Sequence, residues 1–574
     1  MVLEEIATLL EVSGDNRFKA RAFRTAARAL EKTGIEPAAH MASGSLRAVA
    51  GIGPATARVI EELIVTGESR YHLDLRERAP SGMRALLRVP GLGPSKIARL
   101  HDELKIADLD ALEDAARCGR IAGVRGFGER TQQRILDGIP FARGLAGRRR
   151  YHQAEEAALR LAGYVDAQHG VERALVAGDL RRGLEIVDGV ALVTVVNGAA
   201  GTVADRIRAA SGLVWHGGDD HIVRGRFSDG LAVAVCLTAR ADFGAALLYM
   251  TGSAGHLARL EQVAAERGLE LTARGLRDGD ALLDASDEHG LYAALGLQFV
   301  PPELRETGAE VAIAREQSLP RLVELSDLRG CFHCHTTHSD GKASVAEMAE
   351  GALAQGWRYL GIADHSQNAG YAGGLSLAQI TRQQREIDMW NLRRSAELMV
   401  FKGVEADILA DGRLDYSDNA GVLESFDYVI GSVHSLFRME RAAMTKRITR
   451  AVRDPRLTML GHARGRLLLI RDGYDVDLDA VIECAGAAGA AIEINADPHR
   501  LDMSWQHWPK ARSLGVRTAI NPDAHSVNGL RAVRYGVNIA RKAWLTPTDV
   551  INAWPVEDVV EYFAARKRSN GTAS

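Results

Sequence analysis

Leu328–Gly341 reads LRGCFHCHTTHSDG, a short apolar lead followed by His333, His335 and Asp340. The arrangement recurs downstream. Tyr359–Ala363 runs into Asp364-His365, Leu398–Val404 into Glu405, Tyr428–Val433 into His434, and Leu457–Leu460 into Gly461-His462. Ala490–Ile494 then runs into Asn495, and Val516–Ile520 into Asp523-Ala524-His525. Stretches of helical periodicity, such as Ser344–Gln355 and Leu478–Ala488, lie between the apolar runs. Strand alternating with helix predicts a parallel sheet, here a seven-stranded barrel, whose reactive groups stand at the C-terminal strand ends. Nine side chains would then share one rim: His333, His335, Asp340, His365, Glu405, His434, His462, Asp523 and His525. His with carboxylate and no Cys suits Zn²⁺, Mn²⁺ or Fe²⁺. Nine donors exceed what one ion takes, so a cluster of two or three is implied. Such clusters activate water and clamp phosphate oxygens during in-line attack. The predicted chemistry is metal-dependent phosphoester hydrolysis.

Cys331-Phe332-His333-Cys334-His335 also has the spacing of a haem attachment motif. It falls in a predicted strand of a chain with no export signal, which excludes that use. Period-two alternation places His333 and His335 on one face, Cys334 on the other, and Cys331 with the ligands.

Residues 329–565 resemble a polymerase-and-histidinol-phosphatase (PHP) domain in the motifs HCHTTHSDG, ADHS, GVEADI, GSVHS, GHARGR, EINADPHRLD and NPDAHS. The resemblance implies an α/β distorted (βα)7 barrel with three divalent ions. His333, His335, Glu405 and Asp523 would hold the first. Glu405 would bridge to a second, held also by His434 and His462. Asp340, His365 and His525 would hold the third. His338 stands where the family usually has an aromatic residue and is expected as a pocket or surface residue. Arg464, Arg466, Asn495, His499 and Arg500 are candidates for gripping substrate phosphates or sugars, since guanidinium matches phosphate geometry.

The 574 residues imply several domains, and 46% hydrophobic with 25% charged residues is a globular composition. Five Cys without framework spacing indicate a reducing compartment. Glu4, Glu5 and Glu11 at the start and the lack of a bilayer-length apolar run predict a cytoplasmic protein without a membrane partner. The net charge of −3 is uneven: residues 1–150 carry 25 Lys and Arg against 19 Asp and Glu, so the excess positive charge lies at the N-terminal end.

That end has a basic helical stretch with Arg17, Lys19, Arg21, Arg24 and Arg28, then three Gly-apolar-Gly turns, each leading into a helix. The turns are Gly51–Gly53, Gly91–Gly93 (with Lys96 following) and Gly126–Gly128. Glycines permit the tight turn, and the helix that follows turns backbone N–H groups toward a phosphate. The segments resemble helix-hairpin-helix elements, which hold DNA backbones without reading sequence; the third lacks the Pro that follows the second Gly in the others. Further on, AGDLRRGLE (177–185), FGAA (243–246), YMTGS (249–253) and PPELRE (301–306) resemble a family X DNA polymerase. The whole chain is similar to a bacterial family X polymerase with a C-terminal PHP domain.

The resemblance implies an α+β nucleotidyltransferase-like palm and thumb. The family needs Asp-x-Asp after Arg181-Arg182-Gly183 and a third carboxylate on a neighbouring strand, to hold two Mg²⁺ ions. Aligned without gaps, those positions are Gly189, Ala191 and Ala234. Asp179 stands where a phosphate-gripping Ser is usual and would repel a triphosphate. The expected division is a helical DNA-end-binding domain (1–75), a helical fingers-like domain (76–145), a palm-like domain (146–240) and a thumb-like domain (241–306). A linker (307–328), the PHP domain (329–565) and a flexible tail (566–574) follow. The expected protein is a monomeric DNA-repair nuclease acting at 3′ ends of gapped or recessed duplex, with abasic-site cleavage within reach and an inactive polymerase half positioning DNA. Its rivals are a gap-filling polymerase with proofreading, a small-molecule phosphatase of the histidinol-phosphatase type and a non-enzymatic scaffold.

Overall fold

A computed structural model describes residues 2–12, 17–33, 40–41, 44–66, 69–78, 82–89, 91–145, 147–210, 212–227, 230–283 and 286–568. The chain forms two compact units, Met1–Ala146 and Gly147–Ser574. Among the described residues no helix is long and apolar enough to cross a membrane.

The first unit is helical. Its three hairpins share one backbone: Gly51, Gly91 and Gly126 adopt φ of +97°, +86° and +86°, which glycine alone reaches without steric cost. Each turn closes on an apolar pair, Ile52 N–H to Val49 O, Leu92 to Val89 and Phe127 to Val124. Helices Pro54–Thr66, Pro94–Leu104 and Glu129–Gly144 follow, led by Gly53, Gly93 and Gly128. Ile52, Leu92 and Phe127 are buried, so the turns are part of the cores they border.

The second unit starts with a five-stranded sheet: β1 (Val171–Ala177), β2 (Gly189–Val196), β3 (Leu213–Gly218), β4 (Ile222–Phe227) and β5 (Ala232–Thr238), in the order β1-β2-β5-β4-β3. Helices Tyr151–Asp166 and Ala200–Arg208 cover one face through Val190, Leu192, Val233 and Val235. Helices Phe243–Thr251 and Ala254–Glu266 then lead into a small antiparallel meander. A buried network organises this part: Glu288 pairs with Arg181 at 2.6 Å and with Arg305 at 2.5 Å, and His256 joins Glu310 to Tyr292.

The remaining strands are all parallel and in sequence order: β6 (Gly330–Cys331), β7 (Tyr359–Ile362), β8 (Met399–Asp407), β9 (Tyr428–Ser432), β10 (Met459–Leu460), β11 (Ala491–Asn495) and β12 (Thr518–Asn521). The ends meet through a parallel bridge between Cys334 and Ala524, with His335 N–H donating to Ala524 O at 2.9 Å. The predicted helices form as Val345–Ala354, capped by Ser344 and Glu347, and as Leu478–Ala488. Phe332, Tyr359, Phe401 and Tyr428 fill the barrel interior, and Phe563 of the last helix closes it. This plug explains two glycines. A Cβ at Gly403 would lie 2.1 Å from the Tyr428 ring and one at Gly361 2.3 Å from its hydroxyl.

Three local expectations need correction. The first barrel strand is short and bends at Phe332, so its alternation shifts: Cys331 leaves the ligand face and lies 3.4 Å (Sγ–Sγ) from Cys334 in the core outside the barrel. Residues 307–328 are packed rather than a loose connection, with helix Ala309–Arg315 placing Val311 and Ala314 in the core of the preceding domain. The last helix runs through Arg568, and Arg566 donates to Leu457 O at 2.5 Å, so order extends past 565.

The palm-like domain is docked on the barrel. Arg466 pairs with Glu185 at 2.8 Å, Arg534 with Glu155 at 2.7 Å and Arg541 with Glu303 at 2.7 Å. Lys542 is buried; its ammonium contacts Glu306, lies over the Trp505 ring 4.7 Å from its centroid and donates to Arg182 O at 3.3 Å. The His152 ring lies 5.2 Å from that of His499 in this joint, tilted 54° to it. Burial, then the neighbouring His499 and Arg150, push its pKa down to about 4, against a weaker pull from Asp497. An unfolded chain takes up this proton as pH falls below about 6.5, whereas the folded joint does not until about 4. Stability therefore declines with falling pH across that window and is insensitive to this group above it. His152→Phe is expected to reduce the slope of the unfolding midpoint between pH 6.5 and 4, measured by circular dichroism on the full chain.

Candidate metal centre

All nine sequence-predicted ligands meet at the C-terminal rim of the barrel. Glu405, at the end of β8, is the hub. Its carboxylate lies 3.4 Å from His333 Nε2, 2.8 Å from His365 Nδ1, 3.3 Å from His434 Nε2 and 3.0 Å from His462 Nε2. Asp523 Oδ1 lies 3.2 Å from His335 Nε2 and 3.7 Å from His333 Nε2. Asp340 Oδ1 lies 3.3 Å from His525 Nε2, and Asp340 Oδ2 3.6 Å from His365 Nε2. The donor atoms form three overlapping groups that could each hold an ion: His335/Asp340/His365/His525, His333/His335/Glu405 and His365/Glu405/His434. His335 thus also joins the group expected around Asp340. His338 stands apart, paired with Glu386 at 2.9 Å.

The residues fit a metal cluster. Buried polar atoms are nearly always satisfied, yet His333 Nε2, both ring nitrogens of His335, His365 Nδ1 and Glu405 Oε2 are buried and make no well-oriented hydrogen bond, although carboxylates approach the imidazoles closely. Electrostatics agree. Burial alone would raise the pKa of Glu405, but His434, His333 and His365 outweigh it and hold the carboxyl well below its usual range. Burial would lower His434, but Glu405 and Asp407 carry it up to about 10; Asp340 and Asp523 carry His525 up to about 9 in the same way. The carboxylates demand positive charge inside the ring, which divalent cations would supply. Asp523 has φ of +51°, a sparsely populated conformation of the kind that collects at functional sites.

Sequence reading missed the carboxylates behind the ligands. Glu493 accepts from His333 Nδ1 at 2.7 Å and from His462 N–H at 2.8 Å. Asp407 orients His434 through Nδ1 at 2.7 Å. Asp364 fixes the loop before Asp340, accepting from Thr336 N–H at 2.7 Å and from Gln383. A usable signal existed: Glu493 and Asp407 lie two residues from Asn495 and Glu405, on the same strand face.

The expected substrate grips divide. Arg466 is not one: its side chain is committed to Glu185, Arg500 O and Leu501 O in the joint. Asn495 points its amide at Asp523 Oδ2 (3.1 Å) and so holds a ligand. His499 pairs with Asp497. Arg500, half-buried, stands 3.6 Å from Asp523 Oδ2 and so remains beside the centre, whereas Arg464 has a buried Nε without a partner and no contact with a ligand among the described residues. A cavity of about 920 Å³ opens at the other end of the barrel near Tyr428 and Thr458. Its arginines are largely paired, Arg456 with Asp454 and Arg413 with Asp418.

Comparison with known proteins matches residues 1–69 to a helix-hairpin-helix domain and 83–139 to a SAM-like helix-hairpin-helix tandem. Residues 246–306 match the DNA polymerase beta thumb and 332–497 the PHP domain. The protein of Bacillus subtilis (strain 168) named DNA polymerase/3'-5' exonuclease PolX is 35% identical over 567 residues, 97% of each chain. The chain belongs to the family X DNA polymerases with a C-terminal PHP domain. A probable phosphatase of Thermoanaerobacter sp. (strain X514) is 26% identical over 258 residues, 96% of its length but 42% of this chain. One of Caldicellulosiruptor saccharolyticus is 29% identical over 204 residues, 34% of this chain and 78% of its own.

In this family X chain the helix-hairpin-helix and thumb domains indicate DNA binding. Exposed Lys19 and Arg21 lie on the basic helix Arg17–Thr33; the Arg17 side chain is outside the described residues. Arg24 turns back to Glu11 at 2.6 Å. Lys96 donates to Gly91 O at 2.9 Å, bracing its own hairpin. In the palm-like sheet, register pairs Gly189 with Ala232 and Ala191 with Ala234, so Gly189, Ala191 and Ala234, expected from the sequence at carboxylate positions, lie together on β2 and β5. Asp188 pairs with Arg148 at 2.8 Å, Glu185 with Arg466, and Asp179 with Arg182 at 2.5 Å.

Carboxylates behind metal-binding His typically contribute 10- to 100-fold in affinity or activity. Glu493→Gln is expected to weaken metal retention by roughly that factor, read as metal content after dialysis against graded chelator, with the circular dichroism spectrum retained.

Proposed function

We propose that the chain is a DNA nuclease that hydrolyses phosphodiester bonds at 3′ ends in the PHP centre, and that its polymerase half no longer transfers nucleotides but positions gapped DNA. The contrast between the two sites carries the reading. One has nine metal-ligand side chains converging, with buried donor atoms that make no well-oriented hydrogen bond. The other has Gly189, Ala191 and Ala234 at the positions that need carboxylates, and the nearest substitutes, Glu185 and Asp188, are tied into ion pairs. Two-ion nucleotide transfer depends on carboxylate placement to within a fraction of an ångström, so displaced acids do not replace them.

His333, His335, Glu405 and Asp523 would hold one ion, Glu405, His434 and His462 a second, and Asp340, His365 and His525 a third, with Zn²⁺ or Mn²⁺, or Fe²⁺, as occupants. Such ions supply a water of lowered pKa and a clamp for the phosphate oxygens. The chain's own residues do the rest. Glu493 and Asp407 fix His333 and His434 through Nδ1, leaving Nε2 facing inward. Asn495 orients Asp523. Arg500, beside Asp523, stands ready for phosphate charge as it develops. Cleavage at abasic sites would use the same centre. The full-length similarity to a polymerase/exonuclease, against barrel-only similarity to phosphatases, favours a DNA substrate over a small phosphomonoester.

A gapped duplex with a 5′-labelled primer, Mn²⁺ and dNTPs tests this with the wild type and His333→Ala/His335→Ala. Shortening by the wild type alone, with extension by neither, is expected. Extension that persists in the double variant would sink the inactive-polymerase reading, and EDTA is expected to abolish shortening.

A further inference from the structure

One feature at the mouth of the centre belongs to none of the roles above. Tyr371 is 74% exposed, yet its ring centroid lies 6.0 Å from that of His365 and 6.2 Å from that of His434. Single exposed aromatics are common on protein surfaces. This one is presented by a fixed support. It sits on the short turn Gly370–Ala372, between Ala369 and Ala372, which are both buried. Gln367 N–H donates to Tyr416 Oη at 2.8 Å, Asn368 N–H to Asp415 at 2.8 Å, and Asn368 Nδ2 to Asp407 at 2.5 Å, the carboxylate that also orients His434. Leu375 N–H returns to His365 O at 2.9 Å. The turn is thus tied at both ends to the ligand strands, and the ring is aimed outward beside them.

We propose that Tyr371 forms a nucleobase subsite, stacking on the 3′-terminal base while the adjoining phosphate lies at the metal centre beside Arg500. This rests on the nuclease reading above. An aromatic face accepts any of the four bases, because each has a π-face, so the subsite takes a terminal nucleotide without sequence preference. A rigid ring with two side-chain torsions does so at small entropic cost. Strands ending in an abasic sugar, and small phosphomonoesters, lack the group that Tyr371 receives.

The test pairs the full-length, metal-loaded wild type with Tyr371→Ala and Tyr371→Phe on two 3′-recessed duplexes, one ending in a normal nucleotide and one in an abasic sugar. Tyr371→Ala is expected to lose roughly 5- to 100-fold in kcat/KM on the normal end, the effect of one base–aromatic stack, mainly through KM. Its loss on the abasic end is expected to be several-fold smaller, and Tyr371→Phe keeps most of the wild-type rate on both. Equal losses on the two ends overturn the subsite, as does a Tyr371→Phe defect as large as that of Tyr371→Ala. If the wild type shortens neither duplex, the nuclease reading falls and the subsite with it.

A second readout needs no turnover. A strand ending in 2-aminopurine, with a methylene group in place of the leaving oxygen of its last phosphodiester, is bound to Zn²⁺-loaded protein. Fluorescence quenched by wild type and Tyr371→Phe but not by Tyr371→Ala is expected; equal quenching by all three overturns the proposal.

Discussion

Glu405 is a carboxylate buried in a protein interior, and the architecture of the barrel rim answers that fact. A lone ionised carboxylate in such a place is strongly unfavourable and would take up a proton instead. Here the imidazoles of His333, His365, His434 and His462 surround it, each delivered by a different strand end. That convergence requires β6 to β12 to close, which the Cys334–Ala524 bridge accomplishes. It also requires an interior able to carry the ring, which the aromatic plug of Phe332, Tyr359, Phe401 and Tyr428 provides. Gly361 and Gly403 exist where they do because Tyr428 occupies the space of a side chain.

Three of the imidazoles at the rim are fixed from behind. Glu493 and Asp407 do this for His333 and His434, while the backbone carbonyl of Asp523 engages His525 at Nδ1. Asp407 has a second duty, since it also anchors the turn that presents Tyr371. His434 and the lip of the centre therefore share one anchoring carboxylate.

In the palm-like and thumb-like domains charge is placed differently. Acids there are spent on holding the molecule together: Glu185 on Arg466 and Asp188 on Arg148, with Glu155 and Glu303 reaching Arg534 and Arg541. Interfacial ion pairs add specificity and register more than strength, and a set of them spaced along one joint fixes how the palm meets the barrel. The buried Lys542 between Glu306 and Trp505 reinforces that register, because leaving it unpaired would be costly.

The nine converging His, Asp and Glu positions and the parallel barrel were legible in the sequence, because short apolar strands alternating with helices and ending in such residues leave few folds that can use them. So were the three hairpins, whose glycines take positive φ; Gly189, Ala191 and Ala234 are read from residue identity alone, and the structure adds that they lie side by side on β2 and β5. Tertiary structure alone decided what depends on distance across the chain. Arg466 reads in sequence as a phosphate grip, but Glu185, 281 residues away, claims it. Asn495 reads as a substrate contact but serves Asp523. Cys331 left the ligand face because one bend at Phe332 shifts every later side chain, a local deviation that alternation cannot foresee. Local patterns report which face a residue shares with its neighbours; which partner satisfies its charge is set only when distant segments meet.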